Sequence, residues 1–316
     1  MKHFLSVKDV ADPHILAKKA LNFKYNPLSV SYKNQGKSIC LIFFNSSLRT
    51  RLSTQKAAFN LGLDVSIFNV GEDGWQLEME DGVVMNGNKA EHIREAAAVI
   101  GSYYDIIGIR SFAGLKDRDF DYQETIINAF VKYSGKPILN LESATTHPLQ
   151  SLTDLITITE HKKTATPRIV LSWAPHPRAL PQAVPNSFAE WMLAAGFDLT
   201  IVQPKGYELN EKFIQGAKIE YDQKKAFEGA DFVYAKNWSS FNLYGEILNT
   251  DPAWMINDEK MALTNSAKFM HCLPVRRNVV VADEVIDSEN SIVIEQASNR
   301  VFAAQAAIDT LLKTIG

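Results

Sequence analysis

Ile39-Cys40-Leu41-Ile42-Phe43-Phe44 is an unbroken apolar run bounded by Lys37-Ser38 before it and Asn45-Ser46 after it. A run this short, flanked by polar residues, reads as a strand buried on both faces. Residues 52–61 (LSTQKAAFNL) follow with helical spacing, and Val65-Ser66-Ile67-Phe68-Asn69-Val70 reads as a second strand. Outward from this strand–helix–strand unit the alternation continues, with a helix over Ile93 to Ser102 and a strand over Asp105 to Ile109. A helix over Thr125 to Tyr133 and a strand over Pro137 to Leu141 come next. The second half repeats the pattern. A helix spans Leu149 to Glu160. Strands are expected at Ile169 to Trp173, Asp198 to Val202, Phe232 to Lys236 and Lys268 to Met270. Helices fit between them, for instance Ser187 to Ala195, and an amphipathic helix closes the chain from Gln296 to Ile315. The spacing predicts an α/β protein of two domains, each a parallel sheet flanked by helices. The boundaries fall at 1–148 and 149–295, with 296–316 returning to the first domain. Gly71 to Lys89 and the proline-rich Ala174 to Pro185 resist assignment, and long loops in compact proteins are often functional.

The 316-residue length agrees with two domains at about 150 residues each. Hydrophobic residues make up 46% and charged residues 22%, which supplies a core and argues against disorder. A net charge of −3 excludes a strongly basic nucleic-acid binder. Two cysteines, Cys40 and Cys272, cannot form a disulfide framework. The N-terminal MKHFLSVKDVADPH lacks the apolar stretch of a signal peptide, and no apolar run approaches the roughly 20 residues that a bilayer demands. The expectation is a soluble, cytoplasmic protein with no membrane or nucleic-acid partner.

Five segments carry polar chemistry at the ends of expected strands. Ser46-Ser47-Leu48-Arg49-Thr50-Arg51 precedes a helix, where unpaired backbone N–H groups, hydroxyls and guanidiniums suit a phosphate. By itself it reads as readily as an ordinary helix cap with solvated arginines. Arg110 ends an apolar strand, the place where ligands bind in open α/β sheets, or equally a place for an arginine in solvent. Glu142-Ser143-Ala144-Thr145-Thr146-His147-Pro148-Leu149-Gln150 gathers a carboxylate, hydroxyls, an imidazole and an amide, a density that favours function over structure. His271-Cys272-Leu273-Pro274 follows another strand. Its thiol is either a nucleophile or a small buried residue, and Arg276-Arg277 either bind an anion or face solvent. No Cys or His stands at finger-like spacing to this pair, so no zinc and no cofactor are expected. Glu295-Gln296-Ala297-Ser298-Asn299-Arg300 lies at the start of the last helix, from which Arg300 either reaches back to the interdomain cleft or, by default, faces solvent.

Taken together, these segments resemble the aspartate/ornithine carbamoyltransferase family. The matching pieces are Ser47-Leu48-Arg49-Thr50-Arg51 (S-x-R-T-R), His147-Pro148-Leu149-Gln150 (H-P-x-Q), His271-Cys272-Leu273-Pro274 (H-C-L-P) and Asn299-Arg300. They occur in the family's order and span nearly the whole chain. The resemblance implies a carbamoyl-phosphate domain, then an amine-substrate domain, and a homotrimer with active sites at subunit interfaces. It implies that Ser47, Leu48, Arg49 and Thr50 hold the phosphate. Arg110, His147 and Thr50 would contact the carbamoyl oxygen. Gln150 and the backbone carbonyls of Cys272 and Leu273 would hold the carbamoyl amino group, with Arg300 joining them. Trp75 would reach into a neighbour's site. Carbamoyl transfer passes through a tetrahedral oxyanion that convergent Arg, His and Thr donors stabilise. The leaving phosphate can take the amine's proton, and Cys272 then serves through its backbone.

The chain departs from ornithine enzymes at Val233-Tyr234-Ala235-Lys236, where Lys236 stands in place of the aspartate that grips an α-ammonium. Like charges repel, so Lys236 suits a carboxylate or an acyl oxygen. Trp173-Ala174-Pro175-His176-Pro177-Arg178, Glu142-Ser143 and Pro274-Val275-Arg276-Arg277-Asn278 look like the acylornithine branch. That resemblance implies carbamoyl transfer to the δ-amino group of an acylated ornithine, in arginine biosynthesis. It places Glu142, His176, Arg178, Lys236, Arg276, Arg277 and Ala90 around the acylated substrate. The same branch implies a deep knot through the proline-rich loop. Succinyl is expected over acetyl, giving N-succinyl-L-citrulline and phosphate. An acidic side chain at position 90 would repel the extra carboxylate of N-succinyl-L-ornithine, and Ala90 does not. Arg178, Arg276 and Arg277 are candidate partners for that carboxylate, and Glu91 is the neighbouring acid that could intrude.

Three rival readings make distinct demands. A nicotinamide dehydrogenase should show G-x-G-x-x-G after a strand, and the chain has no such run. A non-catalytic amino-acid sensor should have lost some of Arg49, Arg110, His147 or Arg300, and all four are present. N-acetyl-L-ornithine is the alternative amine.

Overall fold

The computed structural model describes residues 1–315. The chain divides into two compact units, one of residues 1–114, 119–149 and 300–316, the other of residues 115–118 and 150–299. Each is built on a parallel sheet with helices against it, as the alternation predicts.

In the first unit the strand order is Asp64–Asn69, Ser38–Phe43, Ile106–Arg110, Ile138–Glu142. Every neighbouring pair is parallel. Ile39, Leu41 and Ile42 have no exposed surface. Burial of each such side chain contributes about 1.5–3 kcal/mol. The helix Arg49–Asn60 buries Thr50, Thr54, Ala57 and Ala58, a stripe of small side chains at helical spacing. The end of the last helix, Val293–Leu312, buries Ala303, Ala304, Ala307, Ile308 and Leu311 in this unit, and Asn60 donates an amide hydrogen bond to Gln305 at 3.0 Å. A helix over Pro13–Tyr25, which the apolar pattern does not single out, is capped by Asp12 and begins on Pro13. The unassigned stretch after Gly71 holds Leu77–Glu78, which pairs in parallel with Glu91–His92.

In the second unit the order is Lys268–Met270, Phe232–Lys236, Arg168–Trp173, Asp198–Val202, Lys218–Glu220, again all parallel. The edge strand Lys218–Glu220 is short and polar, so it carries no apolar signal. The helix expected from Ser187 begins at Ala183, because Pro185 lies in its first turn, where a missing N–H costs nothing. The last helix starts at Val293 instead of Gln296 and ends at Leu312 instead of Ile315. The loop after Trp173 is tied to the segment after Lys236 at several points. Ala174 N donates to Lys236 O at 3.1 Å, and Ser239 N donates to Leu180 O at 2.9 Å. Asn237 donates to Ala174 O at 2.7 Å, Gln182 to Ser239 O at 3.0 Å, and Trp173 Nε1 to Trp238 O at 3.0 Å.

Candidate active site

The polar segments lie at the carboxyl ends of parallel strands, where backbone N–H groups and side chains emerge from the sheet. In the first unit, Ser38–Phe43 leads to Ser47 and to the helix Arg49–Asn60. Leu48 caps this helix without a side-chain hydrogen bond to its first turn, the kind of helix start at which anions bind. Thr50 is buried in that first turn and accepts from Arg300 Nη2 at 2.7 Å. The last helix therefore carries Arg300 to Thr50, 250 positions earlier in the chain.

Arg110 closes the strand Ile106–Arg110 and Glu142 closes Ile138–Glu142, and the two residues pair across a register shift between Ile109 and Arg110. Arg110 Nη1 donates to Glu142, whose carboxylate also lies 3.6 Å from His147 Nε2. All three side chains are buried, at 8%, 7% and 3% exposure. A buried carboxylate held by one arginine is tolerated because the pair stays intact, and loss of either partner strands a charge. Arg110 Nε faces no acceptor among the described residues. The cluster thus keeps guanidinium donor capacity beside an imidazole.

In the second unit, Gln150 Nε2 donates to Asp154 Oδ1 at 2.7 Å, as does Gln296 Nε2 at 2.7 Å. Gln296 Oε1 accepts from His271 N at 3.0 Å. One buried carboxylate therefore joins the H-P-x-Q amide to the H-C-L-P turn. The turn is shaped by His271 Nδ1, which accepts from Leu273 N at 2.9 Å, and by Leu273 in the left-handed region at φ 52°. That backbone fixes where the Cys272 and Leu273 carbonyls point. Cys272 is partly exposed. Cys40 is buried, and burial pushes its thiol up to about 12, which makes it unreactive near neutrality.

A cationic group forms at the strand ends Trp173 and Lys236. His176 is pushed below its ordinary pKa, first by burial and then by the charges of Arg276, Lys236 and Arg178. Its Nε2 accepts from Arg276 Nε at 3.1 Å, and its Nδ1 lies 3.1 Å from Arg178 N and 2.9 Å from Arg178 O, so the ring is held between the two arginine segments. Lys236 makes no side-chain hydrogen bond to protein among the described residues. Arg277 stands apart, because Asp283 and Asp287 hold its guanidinium at 2.8 and 2.6 Å. It is therefore engaged by acids, unlike Arg178 and Arg276. In the first unit, Ala90 is exposed and Trp75 is 57% exposed. Trp75 Nε1 donates to Glu91 at 2.8 Å, so the acid beside Ala90 is engaged within its own chain. Trp75 also lines a cavity of about 390 Å³ with Phe68, Leu77 and Tyr103.

Residues 2–160 match the model of the aspartate/ornithine carbamoyltransferase carbamoyl-P binding domain, and residues 181–311 match that of the Asp/Orn binding domain. The chain belongs to the aspartate/ornithine carbamoyltransferase family. It is 55% identical to N-succinylornithine carbamoyltransferase of Bacteroides thetaiotaomicron over 99% of both chains. It is 38% identical to N-acetylornithine carbamoyltransferase of Xylella fastidiosa over 98% of both. Among solved structures it resembles acetylornithine transcarbamylase complexed with acetylcitrulline, at 37% identity and a TM-score of 0.92 over 98% of this chain and 99% of that one. It also resembles a glutamate-to-alanine mutant of N-acetyl-L-ornithine transcarbamylase complexed with carbamyl phosphate and N-succinyl-L-norvaline. There the TM-score is 0.91 at 37% identity, over 98% of this chain and all of that one. Asp154 is not singled out by the sequence, and Gln296 enters there only as a neighbour of Arg300, yet together they hold the Gln150 amide and the His271 turn. Both lie on helices at positions where a polar residue reads as surface, and only the fold buries them. No helix among the described residues is long and apolar enough to cross a membrane.

Proposed function

We propose that this protein transfers the carbamoyl group of carbamoyl phosphate to the δ-amino group of N-succinyl-L-ornithine, releasing N-succinyl-L-citrulline and phosphate. The observation that carries the reading is the buried Arg110–Glu142–His147 cluster together with the Arg300–Thr50 bond. These are donors gathered at the carboxyl ends of a parallel sheet, in a chain 55% identical to an enzyme of that name. Residues 1–148 are the carbamoyl-phosphate domain and 149–295 the acylornithine domain, with the last helix serving the first. Ser47, Leu48, Arg49 and Thr50 bind the phosphate through the uncapped helix start. Arg110, His147 and Thr50 stabilise the oxyanion as the neutral amine attacks the carbonyl. The C–N bond forms, the C–O bond to phosphate breaks, and phosphate accepts the amine's proton. Gln150, the Cys272 and Leu273 carbonyls and Arg300 orient the carbamoyl group. Glu142, His176, Arg178, Lys236, Arg276 and Arg277 lie around the acylated amine, with Arg178 and Arg276 the better candidates for the succinyl carboxylate because Arg277 is held by two acids. The ties between the loop after Trp173 and residues 236–240 support the knotted path proposed for this branch. Purified protein with carbamoyl phosphate and N-succinyl-L-ornithine should yield citrulline-type product and phosphate, and a folded protein that yields neither refutes the assignment.

The preference for succinyl rests on position 90. Ala90 is exposed and Glu91 is engaged by Trp75, which leaves no free acid at this point of the chain. The solved complex of a glutamate-to-alanine mutant with a succinylated ligand agrees with that logic. Ala90→Glu should lower kcat/KM for N-succinyl-L-ornithine and raise the relative rate with N-acetyl-L-ornithine, the shift expected of a like-charge contact. An unchanged ratio of the two rates would remove position 90 from acyl selection.

The same proposal includes a cytoplasmic homotrimer in which Trp75 completes a neighbour's site. Its exposure on a segment with little regular structure supports that role. Equal mixtures of Trp75→Ala and Arg110→Ala subunits, after verified exchange, should regain activity that neither variant shows alone. Hybrids as inactive as their parents would mean that each site is built from one chain.

A further inference from the structure

Glu124 lies outside every family motif and outside the helix pattern of the sequence, yet its side chain is tied to the loop that carries His147. It caps the helix Thr125–Tyr133 with its backbone in the left-handed region, at φ 53° and ψ 40°, and makes no side-chain bond to that helix. For a residue with a Cβ this conformation is strained and is kept only where surroundings enforce it. The carboxylate instead turns to the chain after Ile138–Glu142. It accepts from Ser143 Oγ at 2.7 Å, Ala144 N at 3.2 Å, Thr145 N at 2.8 Å and Thr145 Oγ1 at 2.5 Å. Burial raises its carboxyl above the usual carboxylate range, and these four donors act against that shift.

The opposite face of the loop is held as well. Asn140 Nδ2 donates to Ser143 Oγ at 3.2 Å and to Thr146 Oγ1 at 3.0 Å, and Ser143 N donates to Thr146 O at 2.9 Å. The segment between Glu142 and His147 is thus clamped between an amide and a carboxylate. Both of its ends carry members of the buried cluster with Arg110.

We propose that Glu124 is a positioning residue for His147, acting through the loop of residues 143–146. The role rests on the proposed transferase reaction, in which His147 donates to the carbamoyl oxygen. A small displacement of such a donor costs rate far more than it costs ground-state binding. Glutamine at position 124 presents an amide N–H to at least one of the four donors, so the clamp loosens while the size is kept.

The experiment is a double-mutant cycle on kcat with Glu124→Gln, His147→Asn and the pair. Glu124→Gln alone should lower kcat roughly 10- to 100-fold with KM for the acylated amine nearly unchanged. In the His147→Asn background the same change should cost less than about threefold, because the group it positions is gone. Equal losses in both backgrounds, or a Glu124→Gln enzyme with wild-type kcat, would overturn the proposal. Should Glu124→Gln fail to fold, Thr145→Val removes one clamp donor and must show the same non-additivity. A wild-type protein without transferase activity would refute the reaction and not the clamp. NMR titration of the His147 imidazole in wild type and Glu124→Gln then decides. A moved titration supports the clamp, and an unmoved one rejects it.

Discussion

Arg110→Ala is expected to lower kcat by about 10²- to 10³-fold, the loss seen when one preorganised donor to an oxyanion is removed. The position explains the size. Arg110 is buried at the end of a central strand, its Nη1 is held by Glu142, and its Nε faces no acceptor among the described residues. The substitution also leaves the Glu142 carboxylate without its cation, a change that destabilises by about 3–5 kcal/mol for a buried pair. Thermal melting and circular dichroism therefore accompany the kinetics, and Arg110→Lys serves as the companion that keeps the charge. Lysine lacks the planar fork, so it should fold better and still lose much of the rate. A folded Arg110→Ala enzyme with wild-type turnover would remove Arg110 from the chemistry.

Lys236→Ala should fall next in effect, and on a different parameter. Lys236 ends the strand Phe232–Lys236, makes no side-chain hydrogen bond to the described residues, and lies close enough to His176 to depress its pKa. An ammonium kept in this way suits an acyl oxygen or carboxylate. Loss of one such charge-assisted bond removes about 1.5–3 kcal/mol, roughly 10- to 150-fold in kcat/KM. The loss should appear with acylated ornithines chiefly as a raised KM. Steady-state kinetics with carbamoyl phosphate saturating measures it, and an unchanged KM would place the acyl group elsewhere.

The two parallel sheets were legible because their central strands are buried on both faces and so contain continuous apolar runs, as at Ile39 to Phe43 and Phe232 to Ala235. The helix Pro13–Tyr25 carried its signal in Asp12 and Pro13, a cap and a first-turn proline, rather than in a clear apolar stripe. The strand Lys218–Glu220 is polar and at the sheet edge, so alternation could not reveal it. Of the candidate site, the residues in contiguous motifs could be picked out from the sequence, since Arg110 ends a strand and Thr50 and His147 stand at helix starts, whereas Arg300 lies inside the last helix, which begins at Val293. What the sequence could not show is what holds them. Asp154 and Gln296 are 142 residues apart and meet only through the fold, and Glu124 earns its role from a backbone conformation that no pattern encodes. Arg276 and Arg277 look equivalent in sequence, and only the partners Asp283 and Asp287 distinguish them.

The measurement that bears most directly on this account is the rate of ureido product formation with ornithine, N-acetyl-L-ornithine and N-succinyl-L-ornithine side by side, at saturating carbamoyl phosphate. The highest kcat/KM is expected with N-succinyl-L-ornithine, a lower value with N-acetyl-L-ornithine and the lowest with free ornithine, whose α-ammonium would face Lys236. Free ornithine as the best of the three amines would contradict the role given to Lys236 and the assignment to acylated substrates.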